Sequence, residues 1–336
     1  MNAPAAIAEW HAVDRTRFER EVVPRHEPAV LRGLVAEWPA VRLAGQSDEA
    51  LAGWLASLDS GREVDALMVP PRRGGRIFYG DDGLGFNYLH NRLPLSQVIA
   101  QVLRYSHFAD PPAVAVQSAP VADCAPGLLA GHAMPLLDAA VAPRLWLGNA
   151  IVTPTHQDES SNIACVLAGE RRFTLFAPEQ IGNLYIGPLL HAPTGSPISM
   201  VDVDAPDLQR HPRFAAALGA ARQAVLAPGD AIYIPPLWWH HVASRKPFNL
   251  LVNYWWSRDG APSGLDALLH TLWALRDFPP AQRRAWQAAF AHWIFEADEA
   301  SGAHIPPAMP GVHGPPTLAM GAQIRALLRS KLGDLP

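Results

Sequence analysis

The sequence predicts a mainly β protein: a small antiparallel barrel or sandwich with helical elements before and after it. Three observations carry this. From about residue 112 to 257 the chain reads as short apolar runs separated by Pro- and Gly-bearing turns. The first 110 residues instead show helical spacing around one short strand, and after Gly264 helical spacing returns. Expected boundaries are 1–110 for helices and strands packing on the barrel, 111–260 for the barrel, and 261–336 for a helical region.

Composition agrees with an ordered globular chain. Of 336 residues, 49% are hydrophobic and 17% charged, and the 33 Pro and 25 Gly are dispersed, as turns require. The net charge of −4 argues against a general nucleic-acid or membrane binder. Cys124 and Cys165 form no Cys-x-x-Cys pair, which argues against structural zinc and a disulfide framework. No signal peptide or membrane-length apolar run is present, so the expectation is a soluble cytoplasmic protein.

In chain order, Asp14 is expected to start a helix with Phe18 and Val22 on one face, and the segment Glu27–Leu34 to form a short apolar strand. Ser47 is expected to cap a helix carrying Leu51, Trp54, Leu55 and Leu58, with Asp48 and Glu49 at its positive end. Pro94 opens a third helix with Leu95, Val98, Ile99 and Val102. The cluster Arg72-Arg73-Gly74-Gly75-Arg76 reads as a solvated hairpin tip, or alternatively as a contact for an acidic group. Expected strands are Ala113–Gln117, Arg144–Leu147, Ile163–Leu167, Phe173–Phe176, Ala231–Ile234 and Leu250–Tyr254. Leu265, Leu268, Leu269 and Leu272 mark a later helix, Trp286, Phe290 and Trp293 another, and 318–332 a last one. The large aromatics of these helices either cap the core or form a subunit interface, the interface being favoured, hence a possible homodimer.

His156 and Asp158 are two apart, a spacing that puts both on one face of a strand. Chance alone supplies such a pair in a chain with 14 His and 31 acidic residues, so context must carry the argument. The context is a second histidine, His240, after the turn Pro228-Gly229-Asp230 and the strand Ala231–Ile234. Two His and one carboxylate leave half the coordination sphere of an iron open, as non-haem Fe(II) oxygenases require.

These stretches together resemble the cupin-like JmjC oxygenases. The resemblance rests on Thr153-Pro154-Thr155-His156-Gln157-Asp158-Glu159, Gly169-Glu170-Arg171-Arg172-Phe173, Pro228-Gly229-Asp230, Trp238-Trp239-His240-His241 and Val252-Asn253-Tyr254-Trp255. It covers about 28–257 and is similar to the hypoxia-inducible-factor asparaginyl hydroxylase branch and to bacterial cupin-like members. It implies a double-stranded β-helix (jelly-roll) core. It also implies a 2-oxoglutarate-dependent dioxygenase that hydroxylates, or demethylates through hydroxylation, a protein or peptide side chain, releasing succinate and CO2. Residue by residue, His156, Asp158 and His240 match the Fe(II) ligands. Thr153, Asn162, Arg171 and Asn253 match positions around 2-oxoglutarate. Arg172 competes with Arg171 for the distal carboxylate, because a shift of one residue swaps the face that a strand presents. A tyrosine of that branch falls near Ala115 or Val116 here, leaving Tyr79, Tyr88 and Tyr233 as substitutes. His241 is expected to face away from the metal, and Trp238, Trp239 and Trp255 to line the mouth or the core. The alternatives are a metal-binding cupin with 2-oxoglutarate-independent chemistry and a non-catalytic partner-binding barrel.

Overall fold

The structure is a computed structural model and describes residues 4–257, 263–298, 301–306 and 317–333. The chain divides into two units, Met1–Ser257 and Arg258–Pro336.

The first unit begins with two short strands, β1 (Ala5–Ala6) and β2 (Ala8–His11), and one turn of helix, α1 (Arg15–Arg17). Asp14 caps α1 by accepting from the Arg17 N–H at 2.8 Å. A wider helical turn follows and buries Phe18 and Val22, the two residues the spacing placed on one face. Strand β3 (Ala29–Arg32) leads into helices α2 (Pro39–Ala44) and α3 (Asp48–Ser57). Ser47 caps α3 through the Ala50 N–H, 3.0 Å away, and Leu51 and Leu55 are buried. Strands β4 (Glu63–Val69) and β5 (Leu89–Pro94) then precede α4 (Leu95–Tyr105), which has Pro94 just before its first turn.

The remainder of the unit alternates strands with turns. It comprises β6 (Ala113–Pro120), α5 (Val121–Cys124), β7 (Pro143–Gly148), β8 (Val152–His156), β9 (Ser161–Ala168) and β10 (Arg171–Phe176). After a long excursion containing α6 (Phe214–Ala220) come β11 (Arg222–Leu226), β12 (Ala231–Ile234), β13 (Trp239–Ser244) and β14 (Asn249–Trp256).

The strands form two facing sheets, the jelly-roll arrangement expected from the resemblance. The smaller has the order β1-β11-β10-β13-β8, and the larger β2-β3-β12-β9-β14-β7-β6-β4-β5. Except for the parallel pairs β1/β11 and β2/β3, neighbouring strands are antiparallel. Val30, Ala164, Val166, Phe173, Leu175, Ile232, Val242 and Leu251 meet between the sheets as the inner core. The outer face of the larger sheet packs on Leu51, Leu55, Val98 and Val102 of α3 and α4. The outer face of the smaller sheet packs Phe176 and Trp239 under Phe214 of α6. Strands from the first 110 residues thus extend the same sheet that carries β9 and β14.

In the second unit, α7 (Gly264–Leu275) has Ser263 as its cap, α8 (Pro280–Phe290) follows Pro279, and α9 (Leu318–Gly333) is the last helix. None of the residues of α7 or α8 is buried. The sequence-based boundary at 260/261 lies outside the described residues. No helix among the described residues is long and apolar enough to cross a membrane.

Candidate metal centre

Two histidines meet because of strand register. His156, the last residue of β8, lies directly opposite His240, the second residue of β13, and their ring centroids are 4.2 Å apart. From this pair to the next, Val242 opposite Thr153, β13 advances two residues and β8 three. The extra residue is a bulge at Pro154-Thr155. Proline has no N–H for the ladder, and β8 is an edge strand, so this is where a proline is tolerated. The bulge keeps Thr153 and His156 on the same inner face despite their odd spacing.

Asp158 sits two residues beyond β8, in the link that carries the chain from the smaller sheet to the larger. The Leu237 N–H holds it by donating to the Asp158 carbonyl at 2.8 Å. Leu237 itself has φ +66°, a left-handed conformation uncommon outside glycine, two residues before β13 begins. The Trp255 indole N–H donates to Asp158 Oδ2 at 2.9 Å, and His240 Nε2 lies 3.7 Å from the same oxygen. One donor atom from each of His156, Asp158 and His240 lies within 4.8 Å of the others, a set that can hold a metal ion.

The backbone sets the tautomers. His156 Nδ1 is 2.9 Å from the Pro154 carbonyl and His240 Nδ1 is 3.0 Å from the Trp238 carbonyl. A carbonyl only accepts, so Nδ1 carries the proton in each ring and Nε2 keeps its lone pair for a metal. Burial, and then the neighbouring His240, push the His156 pKa down to about 4. It is therefore neutral at physiological pH, as a ligand must be.

On the facing sheet, Asn253 of β14 accepts from the Trp146 indole N–H at 2.7 Å, and its amide donates to Asn162 Oδ1 at 3.1 Å. Both asparagines are buried. Asn162 Nδ2 makes no hydrogen bond among the described residues, so it is available to a ligand.

Arg171 lies at the opposite end of the barrel. It is the first residue of β10, opposite Ser244 and Leu226, the last residues of β13 and β11. It shares a face with Phe173 and Leu175, and Leu175 is opposite His240, so its side chain belongs to the interior. It is 8% exposed, its Nε is buried without a partner, and no carboxylate pairs with it among the described residues. Burial lowers its pKa well below the usual arginine value, to about 10. Arg172 faces outward with His241 and pairs with Asp204. The turn explains the parity. Gly169 has φ +77°, and a Cβ there would run into Asn249 Oδ1 and the Phe248 carbonyl oxygen. This tight glycine turn starts β10 with Arg171 pointing in.

The structure sorts the other candidates. Thr153 lies on the inner face between the metal end and the Arg171 end. His241 points to the outer face, beside Arg172, Asp202 and Asp204. Trp239 packs in the outer cluster with Phe214, and Trp238 in the inner core, with its N–H donated to the His26 carbonyl. Of the three tryptophans weighed for the mouth, Trp255 is the one whose side chain bonds a triad residue, while Trp238 reaches His240 through its backbone carbonyl. The Tyr79 and Tyr88 hydroxyls donate to the carbonyls of His191 and Pro193, and Tyr233 packs on the outer face with Phe18 and Trp256. In the basic cluster, Arg73 pairs with Asp81, while Arg76 is half-buried over the Phe78 ring and 3.8 Å from Asp202. Arg76 thus departs from a solvated hairpin tip. The sequence does not single out Trp146, Arg144 or Ser244; all three share the inner face, which only the register reveals.

Residues 15–261 match the family described as Cupin-like domain. The tRNA wybutosine-synthesizing protein 5 of Danio rerio is 26% identical over 308 residues, covering 81% of this chain and 86% of that protein. The Jumonji C domain-containing protein 5 of Drosophila melanogaster is 36% identical over 120 residues, covering 35% of this chain and 28% of its own. The lysine-specific demethylase 8 of Xenopus tropicalis is 31% identical over 115 residues, covering 33% and 24%. The chain therefore spans most of the first of these relatives but less than a third of the other two. With the family match running through the facing sheets and all three candidate ligands, the chain belongs to the cupin-like family of JmjC type, whose chemistry is broadly that of 2-oxoglutarate oxygenases.

Proposed function

We propose that the protein is an Fe(II)- and 2-oxoglutarate-dependent oxygenase that hydroxylates a protein or peptide side chain, or demethylates one through hydroxylation. One observation carries this reading. A two-His, one-carboxylate set stands at one end of the barrel interior, and a buried guanidinium without a counter-ion stands at the other. The first fits Fe(II), and the second fits the distal carboxylate of a dicarboxylic acid. Leu175, the residue opposite His240, is four residues along β10 from Arg171, roughly 13 Å of strand.

His156, Asp158 and His240 would hold the metal. Asn162, Asn253 and Thr153 would border the cosubstrate, and Arg171 would pair with its far carboxylate. When bound, the iron and 2-oxoglutarate supply O2 activation coupled to decarboxylation to succinate and CO2. The chain's own contribution is positional. The Trp255 N–H fixes one carboxylate oxygen of Asp158, the two backbone carbonyls fix the imidazoles, and Val166, Leu175, Ile232 and Leu251 keep the interior dry.

Succinate formation with Fe(II), ascorbate and 2-oxoglutarate, beside His156→Ala and Asp158→Ala controls, tests the reading. Turnover that both controls abolish is the expected result. Iron-loaded protein that fails to bind 2-oxoglutarate in anaerobic calorimetry would overturn it and leave a cupin with other chemistry. An RNA base is the second reading for the substrate, favoured by the match along most of both chains to a protein named for tRNA wybutosine synthesis. The net charge of −4 favours the peptide. Cytoplasmic residence is part of the same proposal, supported by the free, buried Cys124 and Cys165.

We assign α7 and α8 to contact with a second copy of the chain. Trp273 of α7, Trp286 of α8, and Trp293, Ile294 and Phe295 of the helical turn that follows α8 are all exposed, an apolar surface of the kind that obligate interfaces cover. Sedimentation should give a dimer that Trp286→Arg with Trp293→Arg dissociates; a monomeric wild type overturns the assignment.

A further inference from the structure

Two arginines face the barrel interior without a carboxylate partner among the described residues, one at each end. Arg171 is accounted for above. The other, Arg144, is the second residue of β7, at the end where β8 finishes on His156 and β9 begins beside Asn162. It lies opposite Asn253 in register, so its side chain shares the inner face with the asparagine pair, Trp146 and Trp255.

Its stem is anchored. Nε donates to the Ser118 carbonyl at 3.1 Å and to Ser118 Oγ at 2.6 Å. Ser118 has φ +50° and sits in a register irregularity of β6 between Val116 and Ala119. A bulge of this kind re-aims one residue at a partner across the sheet. Both hydrogen bonds use Nε, and neither terminal nitrogen has a partner among the described residues. The Cζ lies 6.0 Å from the centroid of the Trp255 ring, whose N–H is bonded to Asp158. A half-buried guanidinium is thus held one indole away from a metal ligand, with its bidentate edge unused.

We propose that Arg144 determines substrate choice by pairing with a carboxylate on the substrate: an acidic residue near the side chain that is oxidised. The inference rests on the oxygenase reading above. The planar fork of Arg matches a carboxylate bidentately, and partial burial strengthens the pair. One indole and one guanidinium put that carboxylate roughly 10 Å from Asp158, which is about three residues of extended peptide. A nucleic-acid backbone would need many spread cations, whereas this chain has 27 basic against 31 acidic residues.

The test exposes iron-loaded protein with 2-oxoglutarate, without oxygen, to a randomised heptapeptide library and, separately, to a tRNA pool. Wild type, Arg144→Met, Arg144→Glu and Arg144→Lys are compared, and calorimetry with 2-oxoglutarate runs on each. Expected is an enrichment of Asp and Glu at one position by about tenfold or more. Arg144→Lys should keep part of it, Arg144→Met lose it, and Arg144→Glu replace it with Lys and Arg. An acidic preference that survives in Arg144→Met, or no acidic preference in wild type that binds 2-oxoglutarate, overturns the inference, as does retention of tRNA alone. Wild type that fails to bind 2-oxoglutarate overturns the oxygenase reading instead. A variant that alone fails to bind it is misfolded, and the other two variants then decide.

Discussion

Replacing Arg171 with Met separates what the barrel needs to fold from what it needs to work. Burial lowers the Arg171 pKa from the ordinary arginine value to about 10, so the folded chain binds this proton less tightly than the unfolded chain. A depressed pKa on a cation means that the charged form costs stability at every pH below about 10. Each pKa unit is worth about 1.4 kcal/mol, which puts the penalty on the order of 3 kcal/mol. Met has similar length and no charge, so Arg171→Met should stabilise the ligand-free protein by roughly 1–3 kcal/mol. For a domain of this size that is a rise in Tm of about 2–4 °C per kcal/mol. With 2-oxoglutarate at about a hundred times its Kd, the iron-loaded wild type should gain about 2.7 kcal/mol and the variant nearly nothing. Scanning fluorimetry of both proteins, each with and without 2-oxoglutarate, makes the comparison. A ligand-free variant that melts below wild type, or one that 2-oxoglutarate stabilises as much, refutes the argument that Arg171 is an uncompensated charge awaiting an anion.

Three further outcomes follow from the same geometry. Trp255→Phe removes the donor to Asp158 Oδ2 and should weaken Mn(II) or Co(II) binding roughly 10–100-fold while the circular dichroism spectrum stays unchanged; equal affinity would show the bond to be idle. Gly169→Ala puts a methyl against Asn249 and the Phe248 carbonyl at a positive φ, and should cost at least about 2 kcal/mol in urea unfolding. Cys124 and Cys165 are buried, and burial raises both thiol pKa values, Cys124 to about 11. Neither should react with a disulfide reagent at pH 8 until the protein unfolds, and a fast native reaction would contradict their placement.

Apolar strands that pack on both faces were legible in the sequence. Ile163–Leu167 and Leu250–Tyr254 lie inside β9 and β14, each covered by the inner core on one side and by helices on the other. Edge strands were not legible. The residues of β5 are mostly exposed, so Leu89–Pro94 shows no apolar alternation, and its pairing with β4 alone makes it a strand. Strand β8 reads as Val-Thr-Pro-Thr-His, which looks like a loop because the proline at its bulge is a turn signal everywhere else. His156, Asp158 and His240 could be singled out only through the motifs and strands around them, because the His-x-Asp spacing is one that chance supplies; the structure brings the three within reach of one ion.

The unpaired cations show where the sequence stops. Arg171 and Arg172 are adjacent and chemically identical, and nothing local decides which one enters the barrel. The decision comes from the strand parity set by the Gly169 turn and from Asp204, which offers Arg172 a partner outside. Arg144 is harder still, because in the sequence it is one basic residue at the head of an apolar strand. Its meaning depends on Ser118, Asn253 and Trp255, which are 26 or more positions away in the chain and adjacent only through pairing. A chain that places two guanidiniums without carboxylate partners inside one barrel bears a desolvation cost at Arg171 and leaves the terminal nitrogens of Arg144 unmatched at the other end. Anions from opposite directions, a cosubstrate at the floor and a substrate at the rim, would offset both, and each arginine's variant tests its own half of that account.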